Sequence, residues 1–342
     1  VHRDHLLVAR IISLSSIVEQ GFSLKAVVLW GPRRIDVAEV AKPTSPKGWV
    51  LVEVELTGIC GTDKAFYTGT YPLFKTPLIP GHEVVGRVVE GPEELVGLRV
   101  VSEINFSCWS CDYCRSGAYT HCPRKKTLGI DFDGGMAEYF VAPVEALHVF
   151  KGQPENGVFV EPLAAVLRSL SLEPPKPGYR VAVIGTGSLA WLIVQVLRKL
   201  YGARVDLIAR RGSLKAEFFK GVVNRVVYAD EAESSAYDMV FEASGNPDAL
   251  NLAVDICKPL GVIHLKSTPG SPVTFYSTRA VVKECRVLGS RCGTFREFRE
   301  AIRLVEAGIV ETRLDKVYSI DRAPEAFEES LSGKYFKIAL KP

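Results

Sequence analysis

The hydrophobic positions of the chain follow two different patterns, which divide it into two parts. From residue 24 to about residue 160 they form short apolar runs punctuated by glycine and proline. Such runs are typical of β-strands joined by turns, so this part predicts a compact β domain. The clearest runs lie at residues 24–29, 50–56, 84–89, 98–102 and 137–141.

From residue 180 onwards, apolar strands alternate with helical segments. A fully apolar strand at 181–184 is followed by a predicted helix at 189–200. This alternation is typical of a doubly wound parallel sheet. An amphipathic stretch at 295–307 comes next, and we expect the short tail after it to return to the first domain. Further strands are predicted at residues 205–209, 239–242, 262–265 and 286–288.

The composition is that of an ordinary globular protein, with 342 residues of which 47% are hydrophobic and 24% charged. A net charge of +3 gives no reason to expect nucleic acid or an anionic membrane as a partner. No apolar run reaches the roughly 20 residues that span a bilayer. Residues 1–23 have an apolar stretch broken by Arg10 and no small-residue cleavage site. We therefore predict an N-terminal extension there and no signal peptide.

Four closely spaced cysteines, in the pattern Cys108-x2-Cys111-x2-Cys114-x7-Cys122, are the most informative chemical feature. Short steps followed by a longer return loop allow four thiolates to form a tetrahedron around one metal ion. Because sulfur fills all four positions, no position remains for water, and we predict a structural zinc. Cysteines spaced in this way also favour a reducing cytoplasm over a disulfide framework.

The same cysteines leave two other protein classes open. Bacterial ferredoxins use C-x2-C-x2-C-x3-C-P, and Pro123 follows Cys122 here, but the last gap is seven residues long. An iron–sulfur redox carrier is therefore the less favoured class. A zinc-holding nucleic-acid module is disfavoured by the near-neutral charge and by the absence of a basic run.

A second set of metal-ligand candidates is spread over three segments: CGTD from Cys60, GHE from Gly81 and EP from Glu161. A thiolate, an imidazole and a carboxylate are the three protein ligands that a catalytic zinc needs, with the fourth position left to water or substrate. Asp63 is a candidate to accept the second ring N–H of His82 and so fix its tautomer. Taken alone, Cys60 fits a core position and His82 a turn, but the other motifs favour a metal site.

A glycine-rich turn, GTGSLA at residues 185–190, stands between the first apolar strand of the second part and its helix. That context is what a dinucleotide-binding fingerprint requires. The first glycine allows the tight turn, the second lets the backbone approach a pyrophosphate, and Ala190 replaces the third. The pyrophosphate would lie at the helix N-terminus. The predicted contacts are Gly185, Thr186, Gly187, Ser188 and Leu189.

The end of the next strand predicts which cofactor binds. An NAD enzyme usually carries an acid there for the ribose 2′-hydroxyl. Asp206 has a suitable separation from Gly185 but lies early in the strand, whose tip is Ala209, Arg210 and Arg211. Two arginines without an acid suit a 2′-phosphate, so we predict NADP, with NAD as the alternative. The other interpretation of the arginines is a solvated basic turn.

Together these motifs resemble the zinc-dependent medium-chain alcohol dehydrogenase family, in its polyol, threonine and glucose dehydrogenase branch. From about residue 24 to the C-terminus, CGTD, PGHEVVG, the four cysteines, DGGMAEYFVAP, EPLA, GTGSLA and GSRCGTF follow the family order. The resemblance implies an α/β protein with a GroES-like β domain at 24–160 and 292–342. A Rossmann domain with a doubly wound parallel sheet would occupy residues 161–291.

The resemblance also implies roles for single residues. Cys60, His82 and Glu161 would be ligands of the catalytic zinc, with Glu83 as a neighbouring carboxylate able to approach the metal. Thr62 would be the first member of the relay that removes the substrate's hydroxyl proton. Glu161, where many alcohol dehydrogenases have cysteine, is similar to the polyol, threonine and sugar branches.

One position departs from the family pattern. Many members carry a relay histidine five residues after the first ligand, where this chain has Ala65. The proton must then leave through water or directly from Thr62, and a threonine dehydrogenase is disfavoured. The Ala209-Arg210-Arg211 tip resembles the NRR of archaeal glucose dehydrogenases, which supports NADP.

We therefore expect a cytoplasmic zinc-dependent oxidoreductase that transfers a hydride between an alcohol or polyol and NADP(H) or NAD(H). An NADP-dependent aldose 1-dehydrogenase is the alternative within the same chemistry. Two zinc ions per chain and a homodimer or homotetramer are expected. The partner would be a small molecule, and neither nucleic acid nor a membrane is expected.

Overall fold

The computed structural model describes residues 23–342, so the predicted extension at residues 1–23 lies outside the described residues except for Ser23. The first part of the described chain is rich in short strands, as its pattern predicted. They are β1 Ser23–Gly31, β2 Arg34–Ala41, β3 Trp49–Gly58, β4 Glu83–Glu90, β5 Arg99–Ser102, β6 Asn105–Phe106, β7 Lys126–Thr127, β8 Tyr139–Pro143 and β9 Leu147–Val149.

The second part contains a six-stranded, fully parallel sheet in the order β12-β11-β10-β13-β14-β15. The strand order reverses between β10 and β13, and ligands bind at the carboxyl ends of the strands near such a switch point. The sequence pattern predicted all of these strands except β12, which lies at the edge of the sheet. The strands are β10 Arg180–Ile184, β11 Arg204–Ala209, β12 Arg225–Tyr228, β13 Tyr237–Glu242, β14 Cys257–Leu265 and β15 Arg286–Gly289.

The end of the chain returns to the first domain, as the sequence predicted. Strands β16 Lys316–Ser319 and β17 Ile338–Lys341 pair in parallel, and β17 then pairs antiparallel with β3. They extend a sheet in the order β16-β17-β3-β4-β5-β9, in which β8 also pairs with β3. This topology supports the two-domain division, although the boundaries at residues 160 and 292 stay a prediction.

The helices connect the strands and cover the sheets. The predicted helix at 189–200 and the amphipathic stretch at 295–307 correspond to α5 and α8, each within one residue at its ends. No helix within residues 23–342 is long and apolar enough to cross a membrane. The helices are α1 Gly61–Thr68, α2 Asp112–Arg115, α3 Pro154–Gly157, α4 Val160–Leu172, α5 Ser188–Lys199, α6 Ala249–Ile256, α7 Ser277–Lys283, α8 Phe295–Glu306 and α9 Ala323–Ser330.

One hydrophobic cluster joins the two domains. Val85 and Phe150 of the first domain belong to the same buried cluster as Leu163, Val183 and Phe298. The cluster combines residues of α4 and α8 with residues from strands of both sheets, so the two domains share one buried core.

Asp206 has a structural role that its sequence position did not reveal. Its side chain is fully buried at the third residue of β11. One carboxylate oxygen accepts hydrogen bonds from Arg180 at 3.1 Å, Arg225 at 2.8 Å and the Tyr237 hydroxyl at 3.1 Å. Burial opposes ionisation, but these donors outweigh it and lower the pKa of Asp206. Asp206 is therefore held inside the sheet and does not reach a ribose beyond the strand end.

We expect Asp206→Asn to lower the free energy of unfolding by about 2 kcal/mol at neutral pH, because it removes charge-assisted hydrogen bonds in the sheet. A lowered folded-state pKa stabilises the protein above the unfolded value near 4, and this stabilisation is lost as the pH falls through the folded value. The difference from wild type should therefore shrink in acid. Denaturant unfolding across pH measures it, with exposed Asp36→Asn as control. Unchanged stability with weaker NAD binding would contradict this role.

Candidate active site

The four clustered cysteines form a closed sulfur cage in the lobe at residues 108–122. Four of the distances between their Sγ atoms lie between 3.5 and 3.9 Å, and all four atoms lie within 4.8 Å of one another. Four sulfurs at about 2.3 Å from one zinc ion stand about 3.8 Å apart in a tetrahedron. None of the chain's eight cysteines forms a disulfide. The cage therefore fits a four-sulfur zinc site.

The cysteines of the cage have unlike surroundings. The side chain and backbone of Ser110 hydrogen-bond to Cys108 and lower its pKa to about 5. The Arg124 guanidinium also donates to the Cys108 sulfur, at 3.1 Å. Burial raises the pKa of Cys114 to about 12. Because a metal binds the thiolate form of cysteine, Cys108 is the member of the cage whose surroundings favour metal binding.

Helix α1 positions the first residues of the second ligand set. Cys60 is the N-cap residue, and its backbone N–H donates to the Asp63 carboxylate at 2.8 Å. The other oxygen of Asp63 accepts from the backbone N–H of Gly81 at 3.4 Å. Asp63 is fully buried, so it joins the start of α1 to the turn that carries His82.

The contact predicted between His82 and Asp63 differs in the structure. His82 Nδ1 lies 3.7 Å from Asp63 Oδ1, which is too long for a hydrogen bond, and Nδ1 has no hydrogen-bond partner among the described residues. Asp63 is already engaged by the two backbone N–H groups. Burial disfavours a charged His82, but the Cys60 sulfur and the Asp63 carboxylate outweigh burial and raise the pKa of His82 well above its ordinary value.

The two glutamates of the set have different surroundings. Glu161 lies in the first turn of α4, where burial raises its pKa and the nearby His82 acts in the opposite direction. Glu83 begins β4 and forms a buried ion pair with the Lys337 ammonium. The Lys337 ammonium, from the C-terminal segment, therefore already binds one carboxylate oxygen of Glu83.

This second set is less compact than the cysteine cage. Within residues 23–342, the cage is the only group of three or more His, Cys, Asp or Glu side chains whose ligand atoms all lie within 4.8 Å. Cys60, His82 and Glu161 are near enough for their charges to influence one another, but they do not form a closed cage. The donor set is that of an open, three-ligand zinc site.

A cleft of about 430 Å³ runs between α1 and the glycine-rich turn. Cys60, Thr62 and Ala65 line one wall, and Gly187 and Leu189 line the other. His82 and Glu161 are buried, and their sequence neighbours Glu83 and Pro162 line the cleft. The cleft therefore brings Cys60 and Thr62 to the same site as the dinucleotide fingerprint, although more than 100 residues separate them in the sequence.

The glycine-rich turn has the features of a phosphate site. Gly185 has a φ of +118°, and a Cβ there would approach the Ala243 carbonyl oxygen to 2.8 Å, so the turn requires glycine. A Cβ at Gly187 would meet no atom within 4 Å, so at this position the space in front of the backbone is open to a ligand. Ser188 Oγ, at the start of α5, is buried without a hydrogen-bond partner among the described residues. These groups fit a pyrophosphate at the helix N-terminus.

Comparison with known proteins identifies the family. The alcohol dehydrogenase GroES-like domain matches residues 46–152, and the zinc-binding dehydrogenase domain matches residues 192–307. The L-threonine 3-dehydrogenase of Pyrococcus horikoshii is 30% identical over 334 residues, which cover 89% of this chain and 94% of that protein. The chain belongs to the zinc-dependent medium-chain dehydrogenase family. The predicted family, enzyme class and GroES-like and Rossmann folds are thereby confirmed.

Two further similarities concern substrate and cofactor. D-arabinitol dehydrogenase 1 of Uromyces fabae is 28% identical over 336 residues, which cover 91% of this chain and 95% of that protein. A putative zinc-binding dehydrogenase from Sinorhizobium meliloti, crystallised with bound NADP, superposes with a TM-score of 0.84 at 30% identity. That comparison covers 94% of this chain and all of the other. Membership in this family argues against the iron–sulfur carrier.

The two arginines at the tip of β11 are not equivalent in this dehydrogenase. The Arg211 guanidinium binds Asp230 at 2.8 Å and also Glu231, and it lies over the Tyr228 ring. Arg210 is exposed and forms no ion pair within residues 23–342. The Arg210 guanidinium is therefore available to contact a ligand, whereas Arg211 would first have to break its ion pairs with Asp230 and Glu231.

Sequence reasoning missed the lysines of this dehydrogenase's cleft. Lys337 lies 254 residues from its partner Glu83, so no local motif connects the two. Lys266, at the end of β14, donates to the Ser290 carbonyl and hydroxyl oxygens and to the Arg291 carbonyl. Burial lowers the pKa of Lys266 to about 8, with Glu161 acting in the opposite direction. The one signal in the sequence is that Lys266 directly follows the predicted strand at 262–265, and ligands bind at the carboxyl ends of parallel strands.

We expect Arg210→Gln to raise the KM for NADP about tenfold and to leave the KM for NAD unchanged, because it removes a charge-assisted contact to the 2′-phosphate. Arg211→Gln should have a smaller effect, since its guanidinium is already paired. Initial rates with both cofactors measure the difference. Equal changes in the KM for NADP and for NAD in the Arg210 variant would show that the two arginines form only a solvated basic turn.

Proposed function

We propose that this dehydrogenase transfers a hydride between an alcohol or polyol and NADP(H), with NAD(H) as the alternative cofactor. The observation that carries the proposal is the shared cleft, which Cys60 and Thr62 line together with Gly187 and Leu189. A substrate held in this cleft lies between the candidate metal ligands and the phosphate-binding turn. Direct hydride transfer needs that arrangement, because the carbinol carbon and the nicotinamide must meet.

Each residue has a separate task in this proposal. Cys60, His82 and Glu161 hold the catalytic zinc, which when bound polarises the alcohol oxygen as a Lewis acid. Asp63 holds the start of α1 against the turn that carries His82, because its carboxylate accepts hydrogen bonds from the backbone N–H groups of Cys60 and Gly81. Glu83, paired with Lys337, fixes the neighbouring wall of the cleft.

Thr62 receives the proton of the substrate hydroxyl. Its side chain lines the cleft at the second residue of α1, two residues from Cys60. Ala65 lines the same cleft and has no group that can carry a proton further. The proton therefore passes from Thr62 directly to water in the cleft, and this absence of a relay histidine disfavours L-threonine as the substrate.

A polyol is the favoured substrate within this chemistry. The similarity to D-arabinitol dehydrogenase 1, over 91% of this chain, supports it. An NADP-dependent aldose 1-dehydrogenase is the second candidate, because Arg210 stands free at the tip of β11 as a 2′-phosphate contact. The two candidates share every residue of the proposed mechanism and differ in the substrate alone.

We further propose two zinc ions per chain, one in the cysteine cage and one at the cleft. Eight cysteines without a disulfide support a reducing, cytoplasmic location. A homodimer or homotetramer is supported by the edge of the parallel sheet. There β15 ends the sheet, and Leu260, Val281 and Val282 are 70%, 72% and 78% exposed. An unpaired edge beside exposed aliphatic side chains favours association.

The test is reduction of NADP and NAD by a panel of primary and secondary alcohols, polyols and aldoses. We expect polyol-dependent reduction that is lost after zinc chelation. Cys60→Ala should lower turnover by about 10³-fold, because several kcal/mol of metal assistance disappear, and should leave the fold intact. Cys285→Ala, outside both metal sets, is the matched control.

Full activity of the Cys60 variant would overturn the ligand assignment. Aldose oxidation without polyol oxidation would select the second candidate. Reduction of neither cofactor by any compound would contradict the proposed function as a whole.

A further inference from the structure

The lining of the cleft contains more lysines than carboxylates. Four lysines line it, and within the described chain a single carboxylate, Glu83, lines it with them. The lysines come from separate segments: α1, the loop after β11, the position directly after β14 and the position directly before β17. They are Lys64, Lys215, Lys266 and Lys337.

Three of these ammonium groups have partners. Lys337 pairs with Glu83. Lys266 donates to Ser290 and Arg291, and Lys215 donates to the Tyr335 carbonyl at 3.1 Å. The Lys64 ammonium, in contrast, has neither an ion pair nor a hydrogen bond to any residue within 23–342. It stands on α1, two residues after Thr62, and lines the cleft.

The neighbours of Lys64 make its position unfavourable in an empty cleft. Burial and the Lys337 ammonium lower its pKa, and Cys60, Glu83 and Asp63 only partly oppose them. Lys215 is subject to the same repulsion, since burial and Lys64 are the leading causes that lower its pKa to about 8. Lysines from two domains are thus held close together, and among them Lys64 has no carboxylate within ion-pair distance in the described chain. An anion placed between them would relieve both the repulsion and the desolvation of the ammonium groups.

We propose that Lys64 binds an anionic group, a phosphate or a carboxylate, of a ligand in this cleft. The proposal rests on the proposed function, because it places that ligand between Thr62 and the glycine-rich turn. Gly187 precedes α5, whose N-terminus can bind an anion, and Lys64 of α1 lines the same cleft. An anionic ligand that contacts both Lys64 and the N-terminus of α5 would therefore contact both domains.

Two sources supply this chemistry. One is the diphosphate of the cofactor, which the turn at residues 185–189 would bring towards α1. The other is the substrate itself, as a polyol phosphate or a sugar acid whose charged end lies against Lys64 while its hydroxyl lies at Thr62. Each source predicts a different response to removal of the charge.

The first arm of the test measures NADP binding to the full-length protein by calorimetry, without any substrate. Lys64→Gln removes the charge, Lys64→Arg keeps it, and exposed Lys47→Gln is the control. If the cofactor is the source, Lys64→Gln raises the Kd for NADP about tenfold, the effect of one charge-assisted contact. The arginine variant and the control then bind as wild type does.

The second arm compares kcat/KM for sorbitol 6-phosphate, gluconate and neutral sorbitol with the same proteins at saturating NADP. If the substrate is the source, wild type prefers one of the two anionic compounds over sorbitol. Lys64→Gln then lowers that preference about tenfold through KM, and arginine restores it. A preference for the phosphate alone or for the acid alone identifies the anion.

The proposal is overturned if Lys64→Gln changes neither the Kd for NADP nor the preference for an anionic compound. It is also overturned if the arginine variant is as impaired as the glutamine variant, because the role would then be steric. If no polyol of any charge is oxidised, the proposed function fails on its own, and the calorimetric arm still decides the role of Lys64.

Discussion

The buried ion pair between Glu83 and Lys337 is the interaction on which the geometry of the cleft depends. Both side chains are almost completely removed from water, so each charge is tolerable only because the other is present. Glu83 follows His82 at the start of β4, and Lys337 precedes β17, which pairs with the end of β3. The ion pair therefore fastens the end of the chain to the segment that carries a proposed zinc ligand.

Both partners of this ion pair belong to the first domain, but the chain passes through the second domain between them. The C-terminal strand reaches the first sheet only after the chain has completed the parallel sheet of the second domain. Its return, together with the shared hydrophobic cluster, holds α1 opposite the turn at residues 185–189. The chemistry proposed for the cleft needs this juxtaposition, since the metal ligands and the cofactor contacts come from different domains.

Much of the candidate site could be predicted from local sequence motifs. The cysteine cage and the glycine-rich turn each lie within fifteen residues, so spacing alone determines which side chains meet. The parallel strands were predicted because their cores are continuous apolar runs. Strand β12 was missed although it contains the apolar run Val226-Val227-Tyr228, and partial burial does not explain the miss, because the opposite edge strand β15 is more exposed and was predicted.

Contacts between distant segments could not be predicted. Glu83 resembled a metal-approaching carboxylate, and nothing near it in the sequence indicates a lysine 254 residues away. Arg211 and Arg210 are neighbours, yet only Arg211 meets Asp230, which β12 brings alongside. The predicted hydrogen bond from His82 to Asp63 failed for a similar reason, because the backbone of Cys60 and Gly81 reaches that carboxylate first.

We propose that one chain holds two unlike metal sites, a closed sulfur cage and an open site at the cleft. Zinc X-ray absorption spectroscopy of the purified protein, combined with metal analysis, distinguishes the two sites. We expect two zinc ions per chain with an average of about 2.5 sulfur and about 1.5 nitrogen or oxygen ligands. A single zinc ion with four sulfur ligands would overturn the proposal, because the cleft would then hold no metal.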